Sequence, residues 1–318
     1  MRIHDIDMNI VPIVFAFDNN LTLPACVCLS SLMMNAKETT FYDIFILYPS
    51  AEGLKHEDID KVPTFYSNCR IQYVPVDNTF AEAYEIRGIT TPAYYRLLIP
   101  ELILQYEKIL YSDVDVIFRS DLSDIYFNTE LHDNYVAGVN SLSHLIPEYK
   151  EYFSNMGRDA KYIIYSGNLL INSRKIREDK LVSRFKVLSC NKYKFQDMDV
   201  LNIACEGKIK YLNPDFCLTT IISEWAVNNR KALEPFWSEE SIDKALSYGI
   251  VHYNGHKPWI QYCINFDIWW EYYRKSPFFD AKYYFDFFYT RLNVYDQLSF
   301  WKRVKILLRF FVYGRRVI

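Results

Sequence analysis

Three observations predict an α/β fold with a mostly parallel central sheet covered by helices. Short apolar runs alternate with helical patterns along the first part of the chain, as in repeated strand–helix–strand units. The runs stop at polar residues, as at Asp18-Asn19-Asn20 and Ser112-Asp113, where a loop leaves the sheet edge. The chain has 318 residues, 50% hydrophobic and 24% charged, enough for a sizeable core in one large domain or two.

The elements follow in order. Val11 to Phe17 is apolar throughout and reads as a buried first strand closed by Asp18-Asn19-Asn20. Leu21 to Ala36 reads as a helix, with Pro24 tolerated in its first turn. Phe41 to Tyr48 is a second strand, Leu54 to Tyr66 a helix and Ile71 to Val76 a third strand. Pro92 to Leu104 reads as a helix leading to a strand that ends at Asp113. Beyond it, Tyr162 to Asn172 is a strand, Arg174 to Ser189 and Asp197 to Cys205 are helices, and Gly249 to Tyr253 is a short strand. After Phe266 the pattern is aromatic and helical. The expected division is therefore a catalytic domain over 1–265 and a helical region over 266–318. Ligands of such sheets bind beyond the carboxyl ends of the strands, so Asp18 and Asp113 are expected to meet across one cleft.

Composition narrows the function. A net charge of −3 argues against a nucleic-acid partner. Seven scattered cysteines form no Cys-x-x-Cys pair, so neither a zinc ribbon nor a thioredoxin-like site is signalled, and a reduced, cytoplasmic setting fits. Cys26 and Cys28 lie in an apolar helical stretch and read as packing residues. The start of the chain has no signal-peptide pattern, and no apolar run approaches the roughly 20 residues of a membrane span. Aromatic residues make up 17%, with 27 Tyr and 22 Phe. Tyrosine-lined surfaces suit sugars, and a base-composition bias in the genome explains the number equally well. Only nine glycines are present, with no Gly-x-Gly-x-x-Gly or Walker loop, so a metal rather than a glycine-rich loop is expected to meet phosphate.

The chemistry-bearing motif is Lys108-Ile109-Leu110-Tyr111-Ser112-Asp113-Val114-Asp115. Residues two apart in an extended segment point the same way, so Asp113 and Asp115 can converge on one point. Paired carboxylates suit Mg²⁺ or Mn²⁺, which commonly bind together with substrate phosphates. The spacing alone is not specific: Asp-x-Asp also occurs at Asp5/Asp7, Asp58/Asp60 and Asp197/Asp199. The first lies in a polar arm and the second on a solvated helix face, whereas Asp113/Asp115 closes an apolar strand.

Six blocks then occur in a familiar order. They are Ile13 to Asn20, Thr91 to Leu97, Leu110 to Asp115, Ser166 to Asn172, Gln196 to Asn202, and His252 to Trp259. Over residues 11 to 262 the chain resembles glycosyltransferase family 8, the retaining transferases that include bacterial lipopolysaccharide galactosyl- and glucosyltransferases and glycogenin. The resemblance implies a GT-A nucleotide-binding sandwich with a mostly parallel sheet. It implies transfer of galactose or glucose from a UDP-sugar to a glycan or lipid-linked acceptor, with Mn²⁺ or Mg²⁺. Asp113, Asp115 and His252 would be the metal ligands. Lys257 and the backbone at Gly255 would meet the diphosphate. Asp18 and Asn20 would recognise the uridine, Ala16 and Val114 would join the donor-binding residues, and Arg96 and Asp197 would hold the donor sugar as the catalytic pair.

Three departures from the family pattern stand out. Tyr165 replaces an asparagine that touches the donor sugar in many members. Met198 replaces the glutamine of Asp-Gln-Asp, and a thioether cannot serve as the nucleophile once considered for that glutamine. His252 and Lys257 are one residue closer than in the longer family form. The competing readings are a catalytically silent UDP-binding scaffold of the same fold and a sugar-nucleotide nucleotidyltransferase. The intact Asp113, Asp115, His252 and Lys257 disfavour the former, and the missing glycine-rich loop disfavours the latter.

The C-terminus changes character. Residues 299–318 contain Lys302, Arg303, Lys305, Arg309, Arg315 and Arg316 and no acidic residue. On a helix, Trp301, Val304, Leu307, Leu308 and Phe311 form one apolar stripe. A basic amphipathic helix with aromatic anchors suits an anionic membrane surface, which would place the protein peripherally on the inner face of a bacterial membrane. A helix packed on the domain with a solvated basic face has the same pattern.

Overall fold

The computed structural model describes residues 8–80, 83, 91–296 and 298–313. The Asp5/Asp7 pair, Arg315 and Arg316 lie outside that set. Two compact units divide the chain, Met1–Pro277 and Phe278–Ile318.

The first unit is built on a seven-stranded mixed sheet. Its strands are β1 Asn9–Ala16, β2 Thr40–Pro49, β3 Cys69–Val76, β4 Lys108–Ser112, β6 Val136–Val139, β7 Asn168–Asn172 and β8 Ile209–Leu212. The spatial order is β3-β2-β1-β4-β7-β6-β8. Strands β1 to β4 run parallel, as expected from the sequence. Strand β7 is antiparallel to both β4 and β6, so the sheet is mixed rather than nearly all parallel. Chain order reverses direction between β1 and β4, and crevices at such switch points hold ligands in open α/β sheets. A second sheet joins β5 Val116–Ile117, β9 Leu218–Thr219 and β10 Val251–His252, in the order β5-β10-β9.

Several expected helices are shorter than the sequence pattern. The Leu54–Tyr66 stretch contains only a 3₁₀ turn, Ile59–Lys61, and one α turn, Val62–Phe65. Pro63 has no N–H to carry a continuous helix through this point. Pro92–Leu104 likewise becomes a 3₁₀ helix, Thr91–Leu98, followed by Ile99–Leu102, with Pro100 at the change. Arg174–Ser189 splits into Ser173–Glu178 and Leu181–Ser189 because Lys180 takes a left-handed backbone, φ 54°. The strand expected from Tyr162 starts only at Asn168, since residues 160–162 form a 3₁₀ turn.

The helix Thr22–Met34 is buried from Pro24 to Met33, which explains its lack of a polar face. Cys26 and Cys28 are packed within it. One side meets β5 and another meets the helix Phe266–Lys275. Asn35 ties the three together, donating through Nδ2 to the Phe118 carbonyl and the Tyr272 hydroxyl, both at 3.0 Å. Trp269, Trp270 and Tyr273 are fully buried. The first unit therefore runs to Pro277, twelve residues beyond the division expected at 265/266. In the second unit, Ala281–Asp296 and Phe300–Tyr313 are helices.

One buried carboxylate stitches the sheet edge. Asp43 on β2 accepts from Arg70 Nε and Nη2 (2.6 and 2.7 Å), Gln72 Nε2 (2.7 Å) and the Tyr106 hydroxyl (2.6 Å). Burial opposes its ionisation, but the hydrogen bonds from Arg70, Tyr106 and Gln72 outweigh burial and hold its pKa below the ordinary value. A depressed folded-state pKa stabilises the fold above the unfolded value of about 3.9. That contribution disappears as pH falls through the lower folded value. Asp43→Asn removes the charge and puts a donor among donors, so urea unfolding at neutral pH should show a loss of about 2 kcal/mol. The loss should shrink toward zero in strongly acidic buffer.

Candidate active site

The second sheet brings together residues far apart in sequence. His252 on β10 pairs with Val116 on β5, and the Tyr253 N–H donates to the Asp115 carbonyl at 3.0 Å. The loop between β4 and β5 carries Asp113 and Asp115, and the Asp113 N–H donates to the Gly167 carbonyl at 2.8 Å. His252 Nε2 lies 3.2 Å from Asp115 Oδ1 and 3.5 Å from Asp113 Oδ2. One ligand atom from each of the three residues lies within 4.8 Å of the others. Two carboxylates and an imidazole form a donor set suited to Mn²⁺, which accepts oxygen and nitrogen ligands. The residues present therefore fit a divalent cation.

Cations of the protein flank the carboxylates. Lys257 Nζ bonds to Asp115 Oδ2, and also donates to the Tyr253 carbonyl at 2.6 Å. Arg96 is buried and donates through Nη2 to Asp113 Oδ1 at 2.8 Å. Its Nε lies 3.2 Å from Asp197 Oδ2. Its Nη1 donates to the Ser166 carbonyl at 2.5 Å, and its guanidinium carbon lies 4.4 Å over the Tyr111 ring. The Tyr111 hydroxyl donates to Asp113 Oδ1 at 2.7 Å, and Ser166 Oγ donates to Asp197 Oδ2 at 2.8 Å.

Titration behaviour follows from these contacts. Burial alone would raise Asp115, but the nearby charges of Lys257 and His252 hold it well below the usual carboxylate range. Burial alone would depress His252, but the Asp115 charge, together with hydrogen bonds to Asp115 and Cys217, raises it to about 10. Asp197 goes the other way: burial raises its pKa more than Arg96 lowers it. A cation binding to His252 must displace that proton, so metal binding is coupled to proton release.

The cluster opens into a cavity of about 540 Å³. Asp113, Asp115 and His252 all line it. So do Ala16, Asp18, Asn20, Arg96, Val114, Asp197, Gly255 and Lys257, so every residue named as a candidate for the site lines one cavity. Asp18 and Asp113 face the same cavity from the ends of neighbouring strands β1 and β4, as expected. The Asp18 side chain also accepts the Asn20 N–H at 2.9 Å, which shapes the turn after β1. Asp197 is the first residue of the helix Asp197–Ala204, next to Gln196, whose backbone has φ 51°. Asp58 and Asp60 lie outside the cavity lining, ion-paired on the surface with Lys61 and His56.

Tyr165 and Met198, the two departures, also line the cavity, together with Tyr149, Phe195 and Ile221. The Tyr165 and His252 rings are nearly perpendicular, at 88°, with centroids 5.2 Å apart. Asp199 turns away, accepting from the Tyr152 hydroxyl (2.7 Å) and the Phe195 N–H (2.8 Å). Sequence reading assigned no role to Tyr111, Ser166, Gly167 or Cys217. Tyr111 has a local signal, since it precedes Asp113 by two residues on one strand face. Gly167 is crowded by the site: a Cβ there would sit 2.0 Å from His252 Cε1 and 2.8 Å from Asp113 Oδ2. At Gly255 a Cβ would meet nothing nearer than 3.7 Å, so packing within the protein does not demand that glycine.

Residues 12–263 match the family described as "Glycosyl transferase family 8". A Haemophilus influenzae protein classed as a glycosyltransferase is 28% identical over 65% of this chain and 63% of its own length. The lipopolysaccharide 1,2-glucosyltransferase of Escherichia coli K12 is 24% identical over 54% of this chain and 50% of that protein. The alignments thus span less than two thirds of either relative. The solved galactosyltransferase LgtC in complex with donor and acceptor sugar analogs superposes with a TM-score of 0.69 at 25% identity, covering 86% of this chain and 99% of that one. With most of its length matched and the acidic–imidazole cluster in place, the chain belongs to glycosyl transferase family 8.

Proposed function

We propose that the protein is a retaining hexosyltransferase that moves galactose or glucose from a UDP-sugar to a glycan or lipid-linked saccharide, using Mn²⁺ or Mg²⁺. The observation that carries this reading is the convergence of Asp113, Asp115, His252, Lys257, Arg96 and Asp197 on one cavity. The names of the relatives support it: one is a lipopolysaccharide glucosyltransferase and one a galactosyltransferase solved with sugar analogs.

In this reading Asp113, Asp115 and His252 hold the divalent cation, which would act as a Lewis acid on the departing diphosphate. Lys257 leaves Asp115 for the diphosphate and stabilises the charge that develops there as a point cation. The exposed backbone at Gly255 lets phosphate approach closely. Ala16, Asp18, Asn20 and Val114 bound the uridine. Arg96 and Asp197, locked to each other and to Ser166, orient the donor hexose. Met198 offers no nucleophilic oxygen, and Asp197 is already engaged by Arg96 and Ser166. Same-face attack fits these residues: the acceptor oxygen bonds to the anomeric carbon as the bond to the phosphate oxygen breaks. The leaving phosphate oxygen takes the acceptor proton.

Release of UDP from a panel of UDP-sugars, with and without Mn²⁺, tests the reading. Metal-dependent release from one UDP-hexose is expected. Binding of UDP with no release from any donor would instead favour the silent scaffold.

In the same reading the protein attaches to an anionic membrane surface on the cytoplasmic side, and the exposed residues of the second unit are what favours attachment. Trp301, Leu307, Leu308 and Phe311 on the helix Phe300–Tyr313 are exposed, alongside Lys302, Lys305 and Arg309. Among the described residues no helix is long and apolar enough to cross a membrane, so the geometry suits lying in the interface. Deleting residues 299–318 should abolish binding to phosphatidylserine-containing liposomes at low salt and leave turnover on soluble acceptors unchanged. Equal liposome binding by both forms would refute the attachment.

A further inference from the structure

The metal-facing histidine needs a reason to point one particular nitrogen at the carboxylates. Gly167 and Tyr165 press on its ring, but both contacts are steric. An imidazole turned over about its long axis has nearly the same outline, with Cε1 in the place of Nε2 and Cδ2 in the place of Nδ1, so shape alone does not ensure that a nitrogen faces Asp113 and Asp115. A polar partner on the other side of the ring can. That partner is Cys217, whose Sγ lies 3.6 Å from His252 Nδ1.

We propose that Cys217 is a positioning residue for His252, holding Nδ1–H on its sulfur so that Nε2 faces the divalent cation. The inference rests on the metal-site reading above. Cys217 is fully buried just before β9, and β9 runs parallel to β10 with Thr219 opposite His252. The register of the small sheet therefore sets the sulfur against the ring. Sγ lies beside Nδ1, whereas the carboxylates lie 3.2 and 3.5 Å from Nε2. The sulfur braces the ligand rather than joining it on the ion. Metal-bound histidines usually donate their second N–H to a carboxylate, carbonyl or water, and losing that partner costs about 10–100-fold in metal affinity. Here the acceptor is a thiol, a weaker partner in a buried site.

The test is a Mn²⁺ titration of the full chain, with free Mn²⁺ read by electron paramagnetic resonance and no nucleotide or sugar present. Thermal melts establish that each variant is folded. Cys217→Ala should weaken Mn²⁺ binding about tenfold or more. Cys217→Val fills the volume without an acceptor and should be as weak as the alanine variant. Cys217→Ser restores an acceptor and should bind within about threefold of the unaltered protein. Recovery by valine would show that the sulfur only fills space, and overturns the proposal. So would unchanged affinity in the alanine variant, or a serine variant as weak as alanine. Asp115→Asn is the control for the underlying reading. If it too binds Mn²⁺ normally, the metal site itself is wrong and the proposal goes with it. If it weakens binding while all three Cys217 variants do not, only the positioning role fails.

Discussion

Asp115→Asn is expected to lower turnover about a thousandfold, roughly 4 kcal/mol of barrier, with the fold intact. The side chain has two jobs that both need its charge. Oδ1 faces His252 and Oδ2 takes the Lys257 ammonium. The backbone carbonyl, which accepts from Tyr253 and keeps β5 and β10 in register, is untouched by the substitution. An asparagine therefore keeps the shape and the sheet, but offers one neutral oxygen where the site has two charged ones. It also leaves Lys257 without its anionic partner before the donor arrives, with only the Tyr253 carbonyl still accepting from it. UDP release at saturating donor and Mn²⁺, beside a thermal melt, measures both consequences. Near-normal turnover by this variant in chelator-treated buffer would remove the metal from the reaction altogether.

The same residues show where sequence carries information and where it stops. Strands β1, β2 and β4 were legible because each holds a buried apolar run, Val11–Ala16, Ile44–Leu47 and Ile109–Tyr111. The half-buried β3 was legible from its apolar residues Ile71, Tyr73, Val74 and Val76, despite Arg70 and Gln72. Strands β6 and β8 were not. Val136–Val139 is only four residues long, and Ile209–Leu212 is half-exposed at the sheet edge, so neither gives a periodic signal. Strands β5 and β9 are two-residue pairings whose existence depends on β10 lying between them. The helices that shortened did so at Pro63, Pro100 and Lys180, and the two prolines were visible in advance. Asp113 and Asp115 could be placed from local spacing. His252 could not, because its approach to them is made by the β5–β10 pairing and no local pattern encodes that. The family resemblance supplied it. Cys217 acts through tertiary contact with His252, and Gly167 through contacts with His252 and Asp113, so no reading of their neighbours in sequence would have found them.

Gly167→Ala should abolish the site by crowding rather than by loss of a functional group. The backbone cannot yield easily, since the Gly167 carbonyl accepts the Asp113 N–H and β7 begins at the next residue, in register with Ser112. The added Cβ would lie 2.0 Å from His252 Cε1, 2.7 Å from Nδ1 and 2.8 Å from Asp113 Oδ2. The imidazole must therefore move, yet Cys217 stands against Nδ1 and the Tyr165 ring stands perpendicular beside it. Overpacking of this kind costs about 1–3 kcal/mol of stability. A displacement near 1 Å in a reacting constellation costs about a hundredfold in rate. Mn²⁺ affinity should fall together with turnover, because two ligand residues are pushed at once. Gly255→Ala provides the contrast: its Cβ meets no atom closer than 3.7 Å, so the melt and the Mn²⁺ affinity of the nucleotide-free protein should not change. Any loss there should appear as weaker UDP binding, where a methyl group obstructs the backbone that faces the cavity. A Gly167→Ala protein that binds Mn²⁺ like the unaltered chain would mean that the packing around His252 does not define the metal site.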